Sequence, residues 1–120
     1  MTNWNTITDY FLSMVSHPRH GTQAREMFKL CLLLREEPDL ATWYIQPNYL
    51  YLRFSCYNNA DYLVVSSDSP GFYAISLHDD GEHVTARDHE SHIALGYILP
   101  VLFYFLNRLR DKNRQVKVST

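Results

Sequence analysis

Tyr49-Leu50-Tyr51-Leu52-Arg53-Phe54-Ser55, Tyr62-Leu63-Val64-Val65, Gly71-Phe72-Tyr73-Ala74-Ile75-Ser76-Leu77 and Glu82-His83-Val84-Thr85-Ala86-Arg87 follow one another between residues 49 and 87. Each run is rich in aromatic and β-branched residues, which suit a pleated, half-buried surface. Each gap carries turn chemistry: Asn58-Asn59-Ala60-Asp61, Ser67-Asp68-Ser69-Pro70-Gly71 and Asp79-Asp80-Gly81. Links this short join only antiparallel neighbours, so the stretch predicts a β-meander. Alternation then separates two faces. Leu50, Leu52, Phe54 and Cys56 share one side of their strand, and Tyr49, Tyr51, Arg53 and Ser55 the other. Likewise Tyr73, Ile75 and Leu77 oppose Phe72, Ala74, Ser76 and His78. The aliphatic side must be covered by helices, and the tyrosine-bearing side is expected to stay open.

Upstream of the meander, Thr42-Trp43-Tyr44-Ile45 reads as a further strand, ended by Gln46-Pro47-Asn48. Two amphipathic helices precede it. The first is expected to start near Thr6, where Thr6-Ile7-Thr8-Asp9 has the form of a capping box and Trp4 could staple the entrance. His17-Pro18-Arg19-His20-Gly21 ends it. The second runs from Thr22 to about Glu36, burying Ala24, Met27, Phe28, Cys31, Leu32 and Leu34 and turning Arg25, Glu26, Lys29 and Arg35 to water. Downstream, a last helix is expected from Glu90 or Ser91 to about Lys112, with Pro100 either kinking it or starting a new one. Residues 115–120 are expected to fray. The fold class is therefore α+β: two N-terminal helices, a four- to five-stranded antiparallel sheet and a C-terminal helix on its aliphatic face, in a single domain spanning 1–120.

Composition narrows the function. At 46% hydrophobic and 20% charged, the 120-residue chain is ordinary for a globular domain. Cys31 and Cys56 show no paired spacing and read as buried free thiols, which suits a reducing compartment. No secretory signal opens the chain, since Met1-Thr2-Asn3-Trp4-Asn5 has neither a basic start nor an apolar core. Ile93 to Asn107 lacks charge but falls short of the roughly 20 apolar residues a spanning helix needs, so it reads as a core helix, and the expected location is cytoplasmic. The formal net charge of −2 hides an asymmetry. The middle is acidic, with Asp61, Asp68, Asp79, Asp80, Glu82, Asp88 and Glu90 against Arg53 and Arg87, and the last helix is basic.

That acidity weighs against a polyanionic partner. The basic end from Arg108 to Lys117 is already explained by a helix C-terminus, so no nucleic acid is expected. Four glycines provide no phosphate-cradling loop. His78, His83 and His89 could serve a small metal-dependent or acid–base hydrolase, and His78, Asp80 and His83 could converge on an ion, but no structural-zinc spacing is present. Neither cofactor nor metal is therefore expected. Protein binding has positive support. Tyr44, Tyr49, Tyr51, Tyr57 and Tyr62 are the rigid amphipathic type enriched at interfaces, and the carboxylates would steer a basic partner.

This combination resembles the immunity proteins of bacterial toxin–immunity systems, including those of contact-dependent growth inhibition. The likeness is one of overall character across the chain and rests on no signature motif. It implies a non-enzymatic inhibitor that binds one cognate toxin domain, often a basic nuclease, and caps its active site. Charge and position nominate the contact residues: Asp79, Asp80 and Glu82 in one turn, Glu36, Glu37 and Asp39 in another, and Tyr49 and Tyr51 on the open face.

Overall fold

The computed structural model describes residues 2–56, 61–79 and 83–118, with side chains considered for all of these except 79, 83–88 and 112–118. Helix α1 spans Trp4–Leu12. It starts two residues before the expected capping box because Asn3, in extended conformation, accepts the Thr6 N–H on its side chain at 3.2 Å. Ile7 and Phe11 are buried, and the chain leaves the helix after Leu12, well before Pro18. Helix α2 spans Gly21–Leu34 and buries Ala24, Met27, Leu30, Cys31 and Leu34. Its first residue must be glycine: a Cβ there would stand 2.2 Å from the Val15 carbonyl oxygen. Against expectation, Glu26 is buried. Its carboxylate accepts the Gly71 N–H at 3.2 Å and meets Lys29 Nζ at 3.3 Å, and its backbone carbonyl accepts the Tyr73 hydroxyl at 2.7 Å. Burial of that carboxyl is compensated by partners that helical periodicity alone cannot reveal.

Five antiparallel strands follow, β1 (Tyr44–Asn48), β2 (Tyr51–Ser55), β3 (Tyr62–Ser69), β4 (Phe72–Asp79) and β5 (His83–Ala94), paired in sequence order. The β3–β4 link is the two-residue turn Pro70-Gly71, with Gly71 at φ +84°, the pairing a type II turn requires. Thr2 ties the N-terminus to edge strand β1: its hydroxyl accepts the Ile45 N–H at 3.1 Å and donates to the Trp43 carbonyl at 2.8 Å.

The main departure lies in β5. The segment expected to begin the last helix, Glu90 to Ala94, is instead the end of a strand. Phe72 pairs with Ala94, Tyr73 with Ile93, Ile75 with Glu90 and Ser76 with His89. A ladder to β4 satisfies these backbone groups and overrides local helix preference. Register shifts between Tyr73 and Ile75 and between Ser76 and His78 bend the strand. A 3₁₀ turn (Leu95–Tyr97) leads into α3, Ile98–Val118. Pro100 thus falls in the first turn of α3, where a missing N–H costs nothing, and lies at the start of a new helix, close to the second expected alternative.

All three helices lie on one side of the sheet. Ile7, Phe11, Met27, Leu30 and Leu34 of the first two helices and Ile98, Leu102, Phe105 and Leu109 of α3 join Ile45, Leu52, Phe54, Leu63, Val65, Tyr73, Ile75 and Leu77 in one core. Burial alternates strictly along β2 and through Leu63 and Val65 of β3, so residues of opposite parity stay partly exposed. The expected arrangement, C-terminal helix on the aliphatic face, is present. Among the described residues no helix is long and apolar enough to cross a membrane.

Candidate interaction surface

The uncovered face is ordered by cross-strand register. Gln46, Arg53, Val64, Ser76 and His89 form one row across the five strands, and Tyr44, Ser55, Tyr62 and His78 form the next. Three side chains stack over this face. The Arg53 guanidinium carbon sits 4.0 Å from the Tyr62 ring centroid, and Tyr62 lies nearly parallel to His78 at 4.9 Å and 7°. His78 Nε2 is 2.8 Å from Ser76 Oγ. Cross-strand neighbours on a pleated face are about 5 Å apart, which is the reach such stacking needs. Sequence reading saw Arg53 and Tyr62 as sharing a face but did not see them as a unit. The row from Gln46 to His89 holds no carboxylate.

The described carboxylates among the nominated contact residues lie at a margin. Glu36 and Glu37 follow α2, and Asp39 lies in a 3₁₀ turn, Pro38–Leu40, that feeds β1. Glu36 meets Arg35 Nε at 3.4 Å, a solvent-exposed pair that contributes little. Asp79 ends β4, its backbone opposite His83. Asp80 and Glu82 lie outside the described residues. Because Tyr44, Ser55, Tyr62 and His78 stand in one row, the start of β1 and the end of β4 share one end of the sheet. They are three strand spacings apart, about 14 Å. The Glu36–Asp39 segment and Asp79 therefore come to the same end.

Tyr49 and Tyr51 part company. Tyr51 begins β2 and pairs with Ser66, on the open face. Tyr49 belongs not to the strand but to the β1–β2 turn, at φ +54°. Its carbonyl accepts the Tyr10 hydroxyl at 2.9 Å, and its own hydroxyl lies 2.7 Å from His20 Nε2. Those bonds hold its ring against the α1–α2 connection, at the end of the sheet opposite the carboxylates. A two-residue turn breaks the alternation that placed it beside Tyr51.

The histidines proposed for catalysis do not converge among the described residues. His78 is engaged by Tyr62 and Ser76, His89 stands opposite Ser76, and the His83 side chain is outside the described set. No described group of three His, Cys, Asp or Glu side chains could hold a metal ion. His92, at φ +57°, pins the β5 bulge instead: its N–H donates to Asp68 Oδ2 at 2.9 Å and its ring stacks on Phe72 at 4.0 Å. Cys31 is a free thiol that burial pushes up to about 12, so it is protonated and unreactive at neutral pH.

A second concavity escaped sequence reading. Pro38, Asp39, Thr42 and Trp43 face Phe103, Leu106, Asn107 and Arg110 of α3 across an open cleft of about 490 Å³. The Arg110 guanidinium carbon lies 5.2 Å from the Trp43 ring centroid. Its walls come from segments about sixty residues apart, and only the docking of α3 beside β1 brings them together. No family model, curated protein or solved structure matches this chain, so its functional reading rests on this geometry alone.

Proposed function

We propose that the chain is a non-enzymatic protein-binding inhibitor of the immunity-protein kind, acting in the cytoplasm on a cognate toxin domain by direct docking. The observation that carries this reading is the tyrosine- and arginine-bearing sheet face that all three helices leave uncovered, with acidic residues at one end. Tyr and Arg are the residue types that dominate binding energy at protein interfaces, and here they are held in place by stacking rather than free to rotate. Size matters as well. Five strands by five residues is roughly 19 by 17 Å in projection, about 320 Å², less than half of the roughly 800 Å² per partner of a standard interface. A docked protein would also cover the margins, and the carboxylates at one of them favour a partner with basic surface there.

The test is calorimetric titration with the polypeptide encoded immediately upstream of this gene. Tyr51→Ala and Arg53→Ala are expected to weaken the complex roughly tenfold or more each. Glu37→Lys and Asp79→Lys should slow association and reduce its salt dependence. Absence of a complex, or a complex indifferent to all four substitutions, would overturn the reading.

A further inference from the structure

The cleft between the Pro38–Leu40 turn and α3 sets Arg110 opposite Asp39, so its charge pattern goes beyond the acidic margin alone. Asp39 lines it from the turn and Arg110 from the helix. They make no ion pair within 4.0 Å with each other, and neither has an ion-pair partner among the described residues. Between them Phe103 supplies the partly exposed apolar wall, with the buried Trp43 and Leu106 beneath, and the Thr42 hydroxyl and the Asn107 amide are neutral hydrogen-bonding groups. The Arg110 guanidinium is held by the Trp43 ring rather than by a carboxylate, so its N–H donors stay available to a ligand.

We infer that this cleft binds a small zwitterion, a free α-amino acid or short peptide with an apolar side chain. The ligand carboxylate would meet Arg110 and Asn107, its ammonium Asp39 and Thr42, and its side chain the Phe103 ring beside the exposed edge of Trp43. Competing chemistries fit worse. A phosphate or other polyanion meets Asp39, with Glu36 and Glu37 close by in sequence, and a polycation meets Arg110. A purely apolar molecule leaves both charges unmatched while displacing their water. At about 490 Å³ the cleft falls within the roughly 300–1,000 Å³ of small-molecule sites. Because it is open and Asp39 is exposed, each charged contact is worth at most a few fold, and dissociation constants on the order of 1 mM are expected.

Titration of the whole chain with L-phenylalanine, followed by two-dimensional NMR, tests this. The Trp43 indole and Asn107 side-chain signals should shift in a saturable way at millimolar ligand. N-acetyl-phenylalanine and phenylalaninamide should each bind roughly two- to fivefold more weakly. Asp39→Asn should erase the discrimination against the N-acetyl compound and keep that against the amide. Arg110→Gln should do the reverse, and Arg110→Lys, which keeps the charge, should keep the discrimination against the amide. Absence of shifts, equal shifts from zwitterion and blocked compounds, or discrimination that survives both substitutions would overturn the inference. Asp39 belongs both to the cleft and to the acidic margin, but the NMR titration uses the free chain and the calorimetry reads the partner, so failure of one is distinguishable from failure of the other.

Discussion

The two faces of the sheet are cut from the same strands, yet they obey different rules. On β2, Phe54 points into the core and is fully buried, while its neighbour Arg53 lies over Tyr62 with the stack still reachable by solvent. The covered face is held by apolar contact with three helices, where volume and fit decide stability. The open face is held by a few side-chain stacks, which contribute little to folding and are therefore free to serve recognition. Core and open face are separated by one residue along the chain.

Phe54→Ala and Arg53→Ala set the sharpest break in that comparison. Phe54→Ala is expected to cost about 3–5 kcal/mol, and Arg53→Ala less than about 1 kcal/mol, read as shifts of the urea midpoint at unchanged slope. Comparable losses would mean that the open face is structural. Next in size is an alkaline effect confined to the covered side. Burial raises the Cys31 thiol from 9.0 to about 12, so above pH 9 the unfolded chain loses a proton that the folded chain keeps. The stabilising term is complete below pH 9 and declines as pH rises toward 12, by at most about 1.4 kcal/mol per pH unit. Tyr73, pushed up by burial and then by the Glu26 charge, adds a second decline above pH 10. Denaturation curves from pH 8 to 10.5 should steepen in this order, and Cys31→Ala should remove the first limb.

Smaller still is the seam between α2 and the β3–β4 hairpin. Tyr73→Phe deletes the donor to the Glu26 carbonyl and is expected to cost about 1 kcal/mol, because that carbonyl keeps its place in the helix ladder. Tyr62→Ala, at the centre of the open stack, should cost least, about 0.5–1 kcal/mol in stability. Its effect on partner affinity should be far larger than that, and a reversal of the two magnitudes would undo the distinction between the faces.

The sheet's edges sharpen the comparison further. β1 carries Pro47, which offers no N–H, and Thr2 occupies the Ile45 N–H and the Trp43 carbonyl at its start. β5 is bent by two register shifts and by His92 at positive φ. Both are devices that discourage addition of a foreign strand. A docking partner of the kind proposed would thereby meet the face and its acidic end rather than the edges.

The meander, the alternation along β2 and β4 and the helical cover of the aliphatic side were legible, because period-two alternation is a local property. So were the first two helices, to within a few residues at each end. The strand ends were not. β1 runs on through Gln46-Pro47-Asn48, Tyr49-Leu50 is a turn, and β3 continues through Ser69, so the expected gap at 67–71 shrinks to Pro70-Gly71 because cross-strand pairing extends the strands. Nor was the end of β5: His89 to Ala94 has no strong strand pattern and becomes strand by pairing with β4. Glu26 looked solvent-facing on a helical wheel and is buried because a hairpin forty-five residues away supplies its partners. Of the nominated contact residues, Tyr51, Glu36, Glu37 and Asp39 stand where charge and alternation suggested, and Tyr49 does not.

What the amino-acid order decided by itself was the kind of layers, their sequence and which side of each strand is apolar, since these follow from spacing along the chain. Only the tertiary structure decided that Arg53, Tyr62 and His78 form one stack, that the Glu36–Asp39 segment and Asp79 share an end of the sheet, and that Asp39 and Arg110 face a common cleft. Those juxtapositions depend on strand register and helix docking. Both are fixed by packing between residues far apart in sequence, and no local pattern encodes them.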